Sequence, residues 1–317
     1  MTLFATTESI TTARLRGVTA AGYEEDSSVD AKVVEALHIA QVFERAADFD
    51  VISNQFDFLP LTYSRLTATP VVTTIHGFSS ERIVPVFAAY DDIAHYVAIS
   101  HADRHPALTY AATIHHGLDL AQFTFQPAAG AYLLFLGRIH PHKGTHLAIE
   151  VARTAGVPLV IAGIVQDEDY FRDRVLPHVD GREVTYVGAV GPVERDGLLG
   201  GASALLHLIA FAEPFGLSVV ESLASGTPVI AFGLGSLPEL LMDGVTGFLV
   251  DDVAAAVAAV GRIDELRRAA CRIDVEARFT AERMVAAYAS LFEDVVRSVS
   301  SMGRSTNAKR TVASLAP

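Results

Sequence analysis

A single cysteine, Cys271, stands in a chain of 317 residues. One thiol excludes an internal disulfide framework and a cysteine-based zinc site, and it fits a reducing compartment, so a cytoplasmic location is expected. Long apolar runs are also missing: none reaches the roughly 18–20 residues that a membrane span requires. The opening stretch, MTLFATTESITTARL, has no basic segment leading into a long apolar one, so no secretory signal is expected. Positive charge is scarce. There are 24 Lys and Arg against 37 Asp and Glu, a formal net charge of −13. That balance argues against a nucleic-acid partner, whose phosphate backbone calls for clustered basic side chains, and it disfavours an anionic membrane surface. A small anionic ligand remains compatible where a few cations converge. No tandem repeat of fixed period is found.

What is present is apolar residue, half of the total, in short runs. VISN (51–54), PVVTTIH (70–76), HYVAIS (95–100) and AATIHHG (111–117) read as strands ending in polar or glycine turns, with helical pattern between them, as over 30–47. A second series follows: AYLLFLGR (131–138), VPLVIAG (157–163), EVTYVG (183–188), SALLHL (203–208) and TPVIAF (227–232). Its helices are expected at about 144–155, 168–176, 192–200 and 216–225. Strand–helix alternation with continuous apolar strands predicts parallel sheets covered on both faces. Two series predict two α/β domains, 1–128 and 129–279, broken near FQPAAGA (125–131). An amphipathic helix is expected over 280–298, then a disordered tail over 299–317.

Open α/β sheets bind ligands beyond the carboxyl ends of their strands. The strand at 132–136 runs into GRIHPHKG, where Gly137 permits a close turn and Arg138 and Lys143 follow within one loop. Two cations and a helix start make a phosphate cradle; a solvated loop with ordinary surface cations would carry the same residues. His140, His142 and His146 share the loop. They have no nearby cysteine and no evident carboxylate partner, so polar loop histidines explain them better than a metal site.

In EPFGLSVVE (213–221), Glu213 falls in a loop before a helix and Glu221 in that helix's second turn. Pro214 suits a loop or first-turn position, and the free N–H groups near Phe215, Gly216 and Leu217 carry the positive end of the helix dipole. Two carboxylates flanking an anion site suit a ligand with hydroxyls at both ends and phosphate between them, as in a nucleotide sugar. Acids that merely complement the dipole, each worth about 0.3–1 kcal/mol, would produce the same spacing.

The stretches LGRIHPHKGTHLAIEVA, VTYVGAV and EPFGLSVVESLASGTPVIAFGLGSLPELLMDGVTGFLV, in order from about 131 to 280, closely resemble the second domain of family-4 retaining glycosyltransferases. TTIHG, YVAIS and TIHHGLDL resemble the first domain more loosely. The resemblance implies a GT-B fold: two facing Rossmann-like domains, the first on the acceptor side, the second binding the donor, and a last helix crossing back. It implies a UDP-, GDP- or ADP-sugar as donor and a saccharide, lipid or small molecule as acceptor. It implies no cofactor and no metal. Arg138 and Lys143 match the cations on the donor diphosphate. Glu213 matches the contact to the hexose hydroxyls, with Phe215, Gly216 and Leu217 along the phosphate and sugar. Glu221 matches the ribose contact, Val187 and Gly188 the backbone facing the base, and His76 the histidine near the transferred sugar. Ser100 and Gly117 resemble positions lining the cleft; His116 stands where an asparagine is common.

The beginning of the chain departs from this family. Family members open with a strand, a glycine-rich loop and a helix, and MTLFATTESITTARL resembles the family only from its second strand onward. The N-terminal domain is therefore expected to be incomplete, with a central strand missing and two neighbours short of partners. A longer natural chain, a second polypeptide that supplies the strand, or re-paired strands with weak or no activity would each account for it. A non-catalytic nucleotide-sugar-binding partner subunit is accordingly the main rival. Within the same fold a phosphorylase lacks a motif for its cofactor lysine, and an epimerase matches 213–221 less well.

Overall fold

The apolar runs picked out in the sequence form the strands. The structure, a computed structural model, describes residues 1–23, 26, 28–78 and 80–303. It divides into two units, one of Met1–Val97, Pro106–Ala111 and the chain from Ser290, the other of Ala98–His105 and Ala112–Ala289.

In the first unit β1 (Thr2–Phe4) pairs in parallel with β2 (Arg14–Arg16), and these two make a sheet of their own. Helix α1 (Ala31–Phe43) starts where Asp30 accepts the N–H groups of Lys32 and Val33, satisfying donors that the first turn leaves free. β3 (Ile52–Asn54), β4 (Val71–Ile75), β5 (His95–Ala98) and β6 (Tyr110–Thr113) follow, with α2 (Val84–Ala89) between β4 and β5. They form a four-stranded sheet in the order β3-β4-β5-β6, with β3 and β4 parallel. Leu61, Ile75, Phe87 and Tyr96 make its core. Among the described residues no hydrogen-bonded strand joins these two sheets.

The second unit holds a six-stranded parallel sheet: β7 (Tyr132–Leu136), β8 (Leu159–Ala162), β9 (Val184–Gly188), β10 (Ala202–His207), β11 (Val229–Phe232) and β12 (Gly247–Val250). Its order is β12-β11-β10-β7-β8-β9, so the winding reverses between β7 and β10. The helices are α3 (Thr145–Ala155), α4 (Glu168–Tyr170), α5 (Pro192–Gly201), α6 (Leu217–Ala224), α7 (Leu237–Leu240), α8 (Val253–Val260), α9 (Arg268–Arg278) and the start of α10 (Ala281–Gly303). Alternation along β7 sends Leu133 and Phe135 into one apolar core with α3 and α8, and Leu134 into the other with α6 and α9.

Three elements differ from expectation. The helix expected over 168–176 is only the single turn α4, followed by a wide turn over Phe171–Val175 and a tight one over Leu176–His178. Pro177 has no N–H to donate back to Asp173, which stops a regular helix there. β12 was not foreseen, because its four residues in DGVTGFLV lie within a turn-rich stretch. Helix α10 continues to Gly303, past the expected end at 298, so the expected disordered tail is helical at its start; its remainder, 304–317, lies outside the described residues.

Candidate functional site

Ligands of open α/β sheets sit where the strand order reverses, outside the carboxyl ends of the strands. Here that point is the end of β7 and β10. The loop after β7 turns into α3 at Gly144, which has φ +73°. A Cβ at this position would overlap the carbonyl oxygen of Leu208, just after β10, so the bare glycine lets the two loops touch. Gly216, φ +103°, opens α6 in the same way, and no side chain caps that helix. Its first N–H groups therefore have no capping side chain. The loop after β11 holds the other side: Ser236 N–H donates to the Glu213 carbonyl at 3.0 Å, and Ser236 Oγ donates to the Phe215 carbonyl.

These backbones bring Lys143 and Glu213 together. Lys143 Nζ lies 2.6 Å from Glu213 Oε1, and its ammonium sits 5.3 Å from the Phe211 ring centre. The other carboxylate oxygen, Oε2, is 2.9 Å from His207 Nε2. Burial by itself would push the Glu213 carboxyl up, but the hydrogen bonds and charges of His207 and Lys143 outweigh it and bring it down to about 2. Glu213 is thus an ionised acceptor at neutral pH. Arg138 lies on the same loop and is exposed.

Glu221, on α6, pairs with Arg195 of α5 at 3.1 Å, and the Arg195 guanidinium also stacks over Phe123, 5.4 Å from its ring centre. Burial raises the Glu221 carboxyl, and Arg195 opposes that rise. Val187 is exposed at the end of β9, and the carbonyl of Gly188 accepts from Gly163 N–H at 2.8 Å. Leu217 is half exposed, whereas Phe215 is 3% exposed and turns its ring into the core against His116 and Phe279, which leaves its backbone towards the site. Ser100 is buried, and its Oγ accepts from Asp103 N–H. Gly117 packs on the backbone of Thr280.

His76 lies in the first unit, exposed at the end of β4, with Nε2 2.8 Å from Gln55 Oε1. Of the loop histidines, His140 Nδ1 accepts from His142 N–H at 3.2 Å, and His146 Nδ1 lies 2.7 Å from the Tyr170 hydroxyl. Among the described residues no three His, Cys, Asp or Glu side chains are grouped as metal ligands.

Sequence reasoning passed over His207, Arg195 and Glu239. Glu239 accepts N–H bonds from His101 (2.9 Å) and Ala102 (2.6 Å), and His115 Nε2 lies 3.1 Å from it. It thereby ties the loops after β5 and β6 to α7. The signal for His207 was available: a single ionisable residue in the apolar run SALLHL, where a buried polar side chain calls for a partner. Arg195 and Glu239 offered none, because charged residues on helices are ordinarily solvated.

Residues 122–272 match the family model described as glycosyl transferases group 1. A glycogen synthase of Mycobacterium tuberculosis is 36% identical over 166 residues, 49% of this chain and 40% of that protein. A D-inositol 3-phosphate glycosyltransferase of Geodermatophilus obscurus is 31% identical over 222 residues, 56% of this chain and 47% of that protein. The chain therefore spans less than half the length of these curated relatives. Among solved structures, Anabaena HepE in complex with UDP and glucose superposes with a TM-score of 0.66 over 85% of this chain and 82% of its own, at 19% identity. The fold is that of the GT-B glycosyltransferases.

Proposed function

We propose that this chain is a retaining glycosyltransferase that takes a sugar from a nucleoside diphosphate sugar and passes it to an acceptor hydroxyl. The observation that carries the proposal is the meeting, at the switch point of the sheet, of Lys143, the ionised Glu213 and the uncapped start of α6. A diphosphate suits the helix start together with Lys143 and Arg138, which would stabilise the charge that develops as it departs. Hydroxyls of the hexose suit Glu213, those of the ribose suit Glu221, and the base suits the backbone at Val187 and Gly188. Gly216 and Leu217, with the backbone of Phe215, would lie along the phosphate and sugar.

In the proposed reaction the bond from the anomeric carbon to phosphate breaks and a bond to the acceptor oxygen forms on the same face. The acceptor proton goes to an oxygen of the departing phosphate, so no carboxylate nucleophile and no metal ion take part. His76 is proposed to act on the transferred sugar. Uracil is the first base to try, because the HepE structure holds UDP. The proposed setting is the cytoplasm.

The test is calorimetry with UDP-glucose, GDP-mannose and ADP-glucose. One of them should bind, and Lys143→Ala and Glu221→Ala should each abolish that binding. If none of the three binds, the proposal is overturned. Transfer is read separately, as release of nucleoside diphosphate beyond slow hydrolysis when sugars or lipids are added. His76→Ala should lower that release and leave donor affinity in place.

The two separate sheets of the first unit favour one alternative: a donor-binding subunit that transfers only when another polypeptide completes the domain. Intact binding without release, restored by adding such a partner, would support it.

A further inference from the structure

We infer that His207 is the positioning residue for Glu213, holding one carboxylate oxygen in place while the other, paired with Lys143, is the one that passes to the sugar. The inference rests on the proposed sugar diphosphate site.

Glu213 has one oxygen on Lys143 and the other on His207, but the two holders differ in kind. Lys143 is a point charge on a flexible four-carbon stem, and it is the same cation that the diphosphate would draw. When Lys143 turns to phosphate, Oε1 loses its partner and becomes available to a sugar hydroxyl. His207 cannot follow a ligand. It is the last residue of β10, its backbone is in register with Ala231 of β11, and its side chain is 6% exposed. Its ring lies against Gly216, where an added Cβ would stand 3.8 Å from Nε2, and Nδ1 is 3.5 Å from Ser218 Oγ at the start of α6. A side chain rooted in the central sheet keeps Oε2 fixed, and with it the plane of the carboxylate.

A histidine that merely fills core volume would affect every ligand of the site alike. One that aims Glu213 affects only ligands that carry the sugar, because Glu213 meets the sugar and not the diphosphate. Calorimetry with UDP against UDP-glucose, GDP against GDP-mannose, and ADP against ADP-glucose separates the two. For the base that binds, His207→Ala should weaken the nucleotide sugar by about tenfold to a hundredfold, the scale of a lost charge-assisted hydrogen bond, and leave the free nucleoside diphosphate within about twofold. His207→Gln, whose side-chain amide can donate from near the place of Nε2, should restore most of the loss. Where transfer is measurable, the Ala variant should lower kcat as well as raise KM for donor. Equal weakening of both ligands, or no change in either, overturns the inference and leaves the donor site standing. A wild-type chain that binds none of the six ligands overturns the site itself, and the inference with it. Should the Ala variant fail to fold, the comparison of Gln with His207→Leu carries the same test.

Discussion

Glu213 is a carboxylate held below its ordinary range inside a protein. Its folded-state pKa of about 2 lies under the ordinary 4.5, so its contribution to stability is present in full above about pH 4.5 and fades as pH falls towards 2. Glu213→Gln should therefore melt below wild type at neutral pH, with the gap closing between pH 4.5 and 2 in thermal scans. Glu221 moves the other way. Burial raises it and Arg195 keeps it from rising further. Removing that guanidinium by Arg195→Ala should raise the carboxyl further. Since the ionised carboxylate is the stronger acceptor for ribose hydroxyls, donor affinity should fall off at a higher pH in this variant than in wild type as pH is lowered, read by calorimetry over a pH series. The two acids looked alike in EPFGLSVVE. Their environments, one between Lys143 and His207 and the other against Arg195, come largely from elements distant in sequence, with Lys143 70 positions away from Glu213.

The loops that carry these residues depend on tight contacts between elements. Gly144 both adopts φ +73° and packs on Leu208, so Gly144→Ala should cost about 1–3 kcal/mol in chemical denaturation and should weaken donor binding by spreading the loops after β7 and β10. Local stability should differ between sheets. β1 and β2 form an isolated pair of three-residue strands, and a two-stranded sheet is marginal in water. Amide exchange should be fast there and slowest in β7, β8 and β10, whose residues line two cores. The strands of the second unit were legible because continuous apolar runs between glycine and proline signals have few other readings. The helix at 168–176 was not, since Pro177 acts only through the backbone bond it fails to make. β12 was missed because its residues follow directly on the turn signals of DGVT, with no apolar run long enough to stand apart from them.

For the molecule as a whole, a net charge of −13 sets an outcome independent of the site: no retardation of duplex DNA at physiological salt in a gel-shift assay, because the excess of carboxylates opposes the phosphate backbone. Among the described residues no helix is long and apolar enough to cross a membrane. Composition and period thus settled the class of fold, and the order of motifs from 131 to 280 pointed to the family. Neither could show that His207 shares Glu213 with Lys143, that Arg195 occupies Glu221, or that the Phe215 ring turns away into the core. Apolar patterning is repeated along the chain and survives being read one residue at a time. A hydrogen bond between side chains 70 positions apart, as between Lys143 and Glu213, exists only once the winding of the sheet has brought the ends of β7 and β10 side by side, and no local pattern records that distance.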